Sequence, residues 1–499
     1  MLRKVLKGLL LLALVFLAIW LLVIGYWRVT GTDPTGAELA LYLVGMPIAV
    51  IAVFFGGKAL LKRVRNNDTD AEVASTDANG GGDTPAEASR PEDELYLCLL
   101  DSALRLPVGS SGEDALAVLA EGKTRPGLDD ALVDDQGFPV FATRVEDITD
   151  EGLEQALALP DQHNDTPLRW SPEQMRALAM GRGVLDDLLA GQLAQLFAEL
   201  QAHADGEPPH DSPDREAANP PPLHMRLLLP AHWSVAHREL ASTWFREHAE
   251  AQLLHPELTV AAKHAIQRAG APGFGDLNDL ALAAHNEDRN SLCVILACDS
   301  LIGDTEIARL DGEGRLFSQS NPGGMVPGEG AAGVVVVTHP MLADVASADY
   351  ARVHRAAMGD RKTRAGDKSR RSEDQALLGR LGTKALANAR CAAEDIGFVI
   401  SDAGIDATQG RERAQLIGDK LDHLDPTAEC PNIGTACGDL GFVGTLAALA
   451  LSHSAVRNTG RPVLAISLSH PLQRAAAVLQ PPAGPESDRD DSEPAATAA

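Results

Sequence analysis

The six cysteines are the side chains of this 499-residue chain best suited to covalent chemistry, and they stand at 98, 293, 298, 391, 430 and 437. A thiol becomes a nucleophile where a helix N-terminus or a nearby cation lowers its pKa. Cys293 instead falls inside an apolar run, and Cys298 directly follows it. No two cysteines are spaced as CxxC, so neither a zinc site nor a disulfide framework is expected, and a reducing compartment fits. His203 and His210 flank a Pro- and Asp-rich stretch at a spacing unlike that of metal ligands. His339, His453 and His470 are isolated. The Gly-rich stretch 321–330, NPGGMVPGEG, has no GK[ST] after it and no GxGxxG within it, so it is not a nucleotide-binding loop. No metal and no cofactor is expected.

The elements that would position such groups centre on residues 292–337. The run 292–297, LCVILA, has the length of a buried strand. Residues 331–337, AAGVVVV, form a second, β-branched run. A polar, Gly-rich connection of this length between two buried strands is expected to lie close to a site. Strand signals also occur near Leu95, over 223–230, at 398–400 and at 463–467. Helical spacing is read over 111–121, 170–203, 233–253, 373–396 and 434–453. Ser171 and Pro172 supply a cap and first turn, while Gly181 and Gly183 weaken the middle of the second helix. Strands alternating with helices imply an α/β fold.

The sequence NPGGMVPGEGAAGVVVV resembles the PGEGAA loop and strand of β-ketoacyl synthases, in the thiolase superfamily. LACDSL resembles the strand end that precedes it. The order Pro107-Val108-Gly109, Gly122-Lys123 and Gly137-Phe138-Pro139-Val140 is similar to the opening of the same family. The resemblance spans about residues 95–479. It implies a duplicated α/β unit in five layers, α-β-α-β-α, with two central sheets and the site between an N-terminal half (94–338) and a C-terminal half (339–480). It also implies a dimer.

The family uses a Cys nucleophile at a helix start and two His that stabilise negative charge. Counting back from Leu296 by one strand and one helix puts the nucleophile position near Ala271, and no Cys lies between Cys98 and Cys293. In FVISDAGIDATQGRERAQ the first His position falls on Ala403, with Gly404 kept and Glu412 near a later acid. In CPNIGTACGDLG the second His position falls on Thr435 and the Lys position on Cys430, while Asn432, Ile433, Gly434 and Gly441 are kept. Ala271, Ala403, Thr435 and Cys430 are therefore read as vestigial positions. Gly324, Gly328, Gly330, Gly404, Asn432 and Gly434 are the expected pocket lining. Cys430 and Cys437 would lie near Asp402 and Asp406, whose charge would hold a thiol protonated.

Charge and hydropathy place this unit at a membrane. Residues 8–27 and 39–57 carry no charged side chain and are long enough to span a bilayer. Lys and Arg flank the outer ends of both, so the positive-inside rule puts both termini and the soluble part in the cytoplasm of a bacterium, at its inner membrane. Residues 1–65 form this hairpin, 66–93 a flexible linker, 205–222 a disordered loop and 481–499 a disordered tail. The first 65 residues carry net +6 of an overall −27, which leaves −33 for the remainder, so nucleic acid is excluded as a partner. The expected function is a catalytically inactive protein-binding adaptor or scaffold, such as a loader of effectors in type VI secretion. The alternative is a 3-oxoacyl-[acyl-carrier-protein] synthase-like enzyme, or a binder of acyl chains or acyl-carrier protein.

Overall fold

The structure is a computed structural model that describes residues 95–157, 168–197, 223–253, 260–266, 271–287, 291–338, 350–362, 374 and 376–482. The apolar spans 8–27 and 39–57, the 66–93 linker, the 205–222 stretch and the tail from 483 lie outside the described residues.

The N-terminal half contributes β1 (Tyr96–Arg105), a hairpin of β2 (Gly127–Val133) and β3 (Pro139–Ala142), β4 (Leu223–Leu229), β5 (Val260–Ile266), β6 (Leu292–Ser300) and β7 (Glu329–Val337). Its sheet runs β5-β4-β6-β7-β1. Strands β4, β5 and β6 are parallel, and β7 is antiparallel to both its neighbours. The C-terminal half contributes β8 (Ala351–His354), β9 (Ala357–Asp360), β10 (Phe398–Ser401), β11 (Val463–Ser467) and β12 (Gln473–Gln480). It repeats the pattern as β10-β11-β12-β8, with β10 and β11 parallel and β12 antiparallel to its neighbours. The expected two central sheets are joined: Tyr96 to Leu99 pair antiparallel with Ala351 to His354, giving one hydrogen-bonded path.

Both faces of each half-sheet are buried, which explains unbroken apolar strands. Every residue of β6 and β7 is buried. In β6, Cys293, Ile295 and Ala297 face a central cluster, and Leu292, Val294, Leu296 and Cys298 face an outer one. Helix α1 is Gly112–Glu121, α2 Leu153–Leu157, α3 Pro172–Ala190, α4 Val235–Leu253, α5 Pro272–Glu287, α6 Asp304–Gly312, α7 Leu377–Asn388, α8 Ala407–Lys420, α9 Ile433–Cys437 and α10 Val443–Thr459. Helix α10 is buried from Val443 to Val456 except for the half-buried Ser454, and packs on β1, β6 and β7 of one half and on β10, β11 and β12 of the other. Helices α1 and α5 join it in the central layer. Helix α3 covers the outer face of the first half-sheet, with α4 against α3 and β5. Helix α7 covers β12, with α8 behind it. The result is five layers, α-β-α-β-α.

Several boundaries differ from the sequence expectation. The helix expected over 373–396 is α7, which gives way at Arg390 (φ 48°) to a short 3₁₀ turn at Ala393–Asp395. The helix expected over 434–453 is two helices, because Gly438 (φ 67°) and Gly441 (φ 56°) turn the chain between α9 and α10. Helix α3 has the expected cap, in which Ser171 and Gln174 exchange side-chain to backbone bonds. Gly181 does not break it; a Cβ there would lie 2.9 Å from the Phe245 ring and 3.1 Å from Cys298 Sγ, so glycine lets α3 sit close to the sheet.

That contrast is testable by thermal denaturation of two helix glycines. Gly181→Ala gains helix propensity of about 1 kcal/mol but overpacks the core, and a net loss of about 1–2 kcal/mol is expected. A Cβ on Gly379, in α7, meets nothing within 4 Å. Gly379→Ala should therefore raise stability by about 0.5–1 kcal/mol.

Candidate functional site

In each half a buried carboxylate beside the end of a parallel strand ties loops together. In the first half, Ser300 at the end of β6 lies opposite Glu329 at the start of β7. The Glu329 carboxylate is buried and accepts from Ser300 Oγ (2.8 Å), Val145 N (2.9 Å) and Arg176 Nε (2.9 Å) and Nη2. This bonding accounts for DSL and PGEG as a pair. Between them, Asn321 Nδ2 donates to the carbonyls of Gly314 and Leu316, folding the polar connection back on itself. A Cβ on Gly324 would overlap the Leu316 carbonyl, and one on Gly328 the Cys437 carbonyl.

In the second half, Asp402 follows β10 and is buried. Its carboxylate accepts from Ser467 Oγ (2.7 Å), Ser469 Oγ (2.8 Å), Thr445 Oγ1 (3.2 Å) and the amides of Leu468 (2.5 Å) and Ser469 (3.1 Å). Asp402 thus ties β10, β11 and α10 together. Asp406 caps α8 by accepting from the amides of Thr408 and Gln409, and Gly404 N donates to Gln409 Oε1 (2.7 Å). Gly434 packs directly on the Ala403 carbonyl.

A cavity of about 340 Å³ lies between the Gly-rich connection and this second loop, lined in part by Arg315, Asn321, Gly324, Gly404, Gly434 and Asp439. A smaller one of about 30 Å³, the size of one water, adjoins it beside Asp402, Gly441 and Ser469. Gly324, Gly404 and Gly434 all line the larger cavity. Gly328 and Gly330 have packing roles instead: a Cβ on Gly330 would crowd the Arg105 carbonyl at 2.9 Å. Asn432 is held by Ser401 Oγ, which donates to its Oδ1 (2.8 Å). Among the described residues no group of His, Cys, Asp and Glu could hold a metal ion.

Ala271 directly precedes α5 and is buried. Its amide, at the positive end of the helix, donates to Gln473 Oε1. The first turn of α5 packs on α10: a Cβ on Gly273 would meet Leu446 and Leu449 at 3.3 and 3.4 Å. Ala403 is fully buried, and the Thr435 hydroxyl donates to the Asn432 carbonyl (3.1 Å). Burial pushes the Cys430 thiol up to about 11 and the Cys437 thiol to about 12. Their protonated state was expected from Asp402 and Asp406. The dominant cause is desolvation, with Glu429 and Asp425 as lesser contributors at Cys430.

Sequence reasoning missed three polar groups. Arg474 stands inside the apolar β12 and is buried, donating to Glu412 Oε2 (2.6 Å) and to the His470 carbonyl (2.6 Å). An arginine in the run QRAAAVLQ was the available signal. Gln473 beside it carried none. Asp299 is buried, and its Oδ1 lacks a hydrogen-bond partner among the described residues. Burial, then repulsion from Glu306, raises its pKa to about 8.

No family model matches this chain, and no curated protein matches its sequence. Its fold is nevertheless that of solved ketosynthases. The ketosynthase from module 6 of the bacillaene synthase of Bacillus subtilis 168 superposes with a TM-score of 0.50 at 11% identity, over 78% of this chain and 72% of that one. A β-ketoacyl synthase from Burkholderia phymatum STM815 gives 0.49 at 11% identity, over 78% and 100%. The ishigamide ketosynthase/chain length factor gives 0.48 at 14% identity, over 77% and 99%. The likeness shows a mixed α/β, ketosynthase-like fold of the thiolase type.

Asp299 makes stability pH-dependent in a defined sense. Its pKa in the folded protein is raised to about 8 from an ordinary value of 3.8. The folded state therefore keeps a proton that the unfolded chain has lost, and stability falls as pH rises through that window. Denaturant midpoints measured from pH 5 to 9 should decline more steeply for the native protein than for Asp299→Asn. Parallel profiles would show that the carboxyl ionises freely in the fold.

Proposed function

We propose that this chain is a non-catalytic protein of ketosynthase fold that works as a protein-binding adaptor or scaffold. It is tethered at the cytoplasmic face of a bacterial inner membrane by the apolar spans 8–27 and 39–57. The observation that carries this reading is Ala271. A carbon–carbon condensation through an acyl-enzyme needs a nucleophile at that helix start, and the position offers a methyl group. The amide that would stabilise an oxyanion there already donates to Gln473. Ala403 can neither donate nor accept a proton through its side chain, and Thr435 is bonded to its own helix start. The thiol of Cys430, raised to about 11, carries little thiolate at neutral pH.

The scaffolding carboxylates, by contrast, are fully bonded, which supports a fold maintained for a purpose other than condensation. The partner is a protein, and a second copy of the chain is one form it takes. A role loading effectors for type VI secretion rests on layout alone. The competing reading, an acyl or acyl-carrier-protein binder or a 3-oxoacyl-[acyl-carrier-protein] synthase-like enzyme, is favoured by the cavity beside Gly324, Gly404 and Gly434.

The full-length protein, purified in detergent, should release no CO₂ from malonyl-acyl-carrier protein above the protein-free rate. It should co-purify with one stoichiometric protein partner. Ala271→Cys should take no acyl label from an acyl thioester, because Gln473 occupies the amide beside it. Steady decarboxylation by the native protein, or a stoichiometric bound acyl chain, would overturn the proposal.

A further inference from the structure

The β2–β3 hairpin has one face built into the fold and one face left apolar and open. Leu132, Val140 and Ala142 point inward, into a cluster with Ile302, Ile307, Leu310 and Leu316. Its turn is closed by Asp134 Oδ1, which accepts from the amides of Gln136 (2.9 Å) and Phe138 (2.8 Å), with Gly137 at φ 81°. Asp135 N donates to Asp311 Oδ2 (3.1 Å), and Arg144 pairs with Asp129. The hairpin is thus held rigidly from behind.

The other face carries Leu128 (58% exposed), Val133 (49%), Phe138 (62%) and Phe141 (38%). Leu128 lies directly opposite Phe141 in the ladder, and the Phe141 ring meets Phe317 edge-on at 5.5 Å. Four of the six large apolar side chains exposed among the described residues sit here, so the exposure is concentrated rather than scattered.

The charges around the turn end of this face are acidic. Asp130, Asp134, Asp135 and Asp311 have no cationic partner among the described residues, whereas Arg144 and Arg315 are neutralised by Asp129 and Glu313. Lys123 and Arg125 lie before the opposite end of β2. Two copies meeting through this face would bring like charges together, and an anionic lipid surface would be repelled.

We infer that the outer face of the β2–β3 hairpin is the docking surface for a partner protein, through a net-basic segment whose apolar residues cover Val133, Phe138 and Phe141. This rests on the adaptor reading and supplies its contact surface. Large apolar side chains on a rigid, preorganised element are the anchors that dominate interface energies, and the acidic rim selects the partner by sign.

The test places a benzoylphenylalanine photocrosslinker at position 138 of the full-length protein in its own cells. A parallel strain carries it at Val235, an exposed apolar control on α4 (56% exposed). Position 138 should capture one protein, through a segment that is net positive and contains apolar residues, at roughly tenfold the yield of position 235. Purified, that partner should bind the Phe138→Ser and Val133→Ser variants roughly tenfold more weakly. Binding to the native protein should weaken as salt is raised. Both residues are exposed, so both variants should keep the native melting temperature. Capture of a second copy, of lipid or of a net-acidic segment overturns the assignment, as does equal capture at both positions or none. A partner captured only elsewhere sinks the hairpin assignment and leaves the adaptor reading standing. Malonyl decarboxylation sinks the adaptor reading whatever position 138 captures.

Discussion

Everything in this fold depends on a helix that is buried along all but its last turn. Helix α10 lies between the two half-sheets, and both halves build their inner cores on it. A helix so placed must be apolar all round and small where the sheets approach. Its sequence VGTLAALALSHSAVRNT meets both needs, with Gly444, Ala447, Ala448 and Ala450 between the larger leucines. Its three buried polar side chains have partners within the protein: Thr445 Oγ1 donates to Asp402 Oδ2, Ser452 Oγ donates to the Ala448 carbonyl, and His453 Nδ1 lies 2.8 Å from Ser102 Oγ on β1, while His453 Nε2 has no hydrogen-bond partner among the described residues. Burying a Leu or Val side chain is worth about 1.5–3 kcal/mol, so a layer shared by two sheets contributes heavily to both.

The loops at the strand ends are held differently, by charge. Glu329 and Asp402 play the same part in the two halves, each gathering donors from segments far apart in sequence. A buried carboxylate pays a desolvation penalty of several kcal/mol, and only a full set of donors offsets it. Such groups add less net stability than apolar packing would. They impose one arrangement of loops, because any other leaves a charge unbonded. The glycines between them have the complementary role of letting backbones touch, as Gly328 does against Cys437 and Gly434 against Ala403.

The loops at these strand ends frame a cavity of about 340 Å³ lined in part by Gly324, Gly404 and Gly434. Elsewhere, the Ala271 amide at the start of α5 is bonded by Gln473, and burial holds the Cys430 and Cys437 thiols protonated. Gln473 and Arg474 come from a strand distant in sequence from Ala271 and Glu412, and only the fold sets them side by side. The apolar face on the neighbouring hairpin is of the same kind. Leu128 and Phe141 are thirteen residues apart in sequence and become one surface only when the ladder pairs them.

The sequence by itself determined the alternation of strands and helices, and the resemblance of its short motifs to ketosynthases implied the duplicated α/β fold. These are local matters: strand length, helical spacing and short motifs are all written in consecutive residues. It also located the Gly-rich connection and the cap of α3. Only the tertiary structure decided that Glu329 meets Arg176 and Ser300, that Gln473 bonds the Ala271 amide, and that desolvation rather than nearby carboxylates holds the cysteines protonated. It separated lining glycines such as Gly404 from packing glycines such as Gly330, and it split the 434–453 helix at two positive-φ glycines. Each of these depends on what long-range packing brings within a few ångströms, and a linear pattern carries no record of that distance.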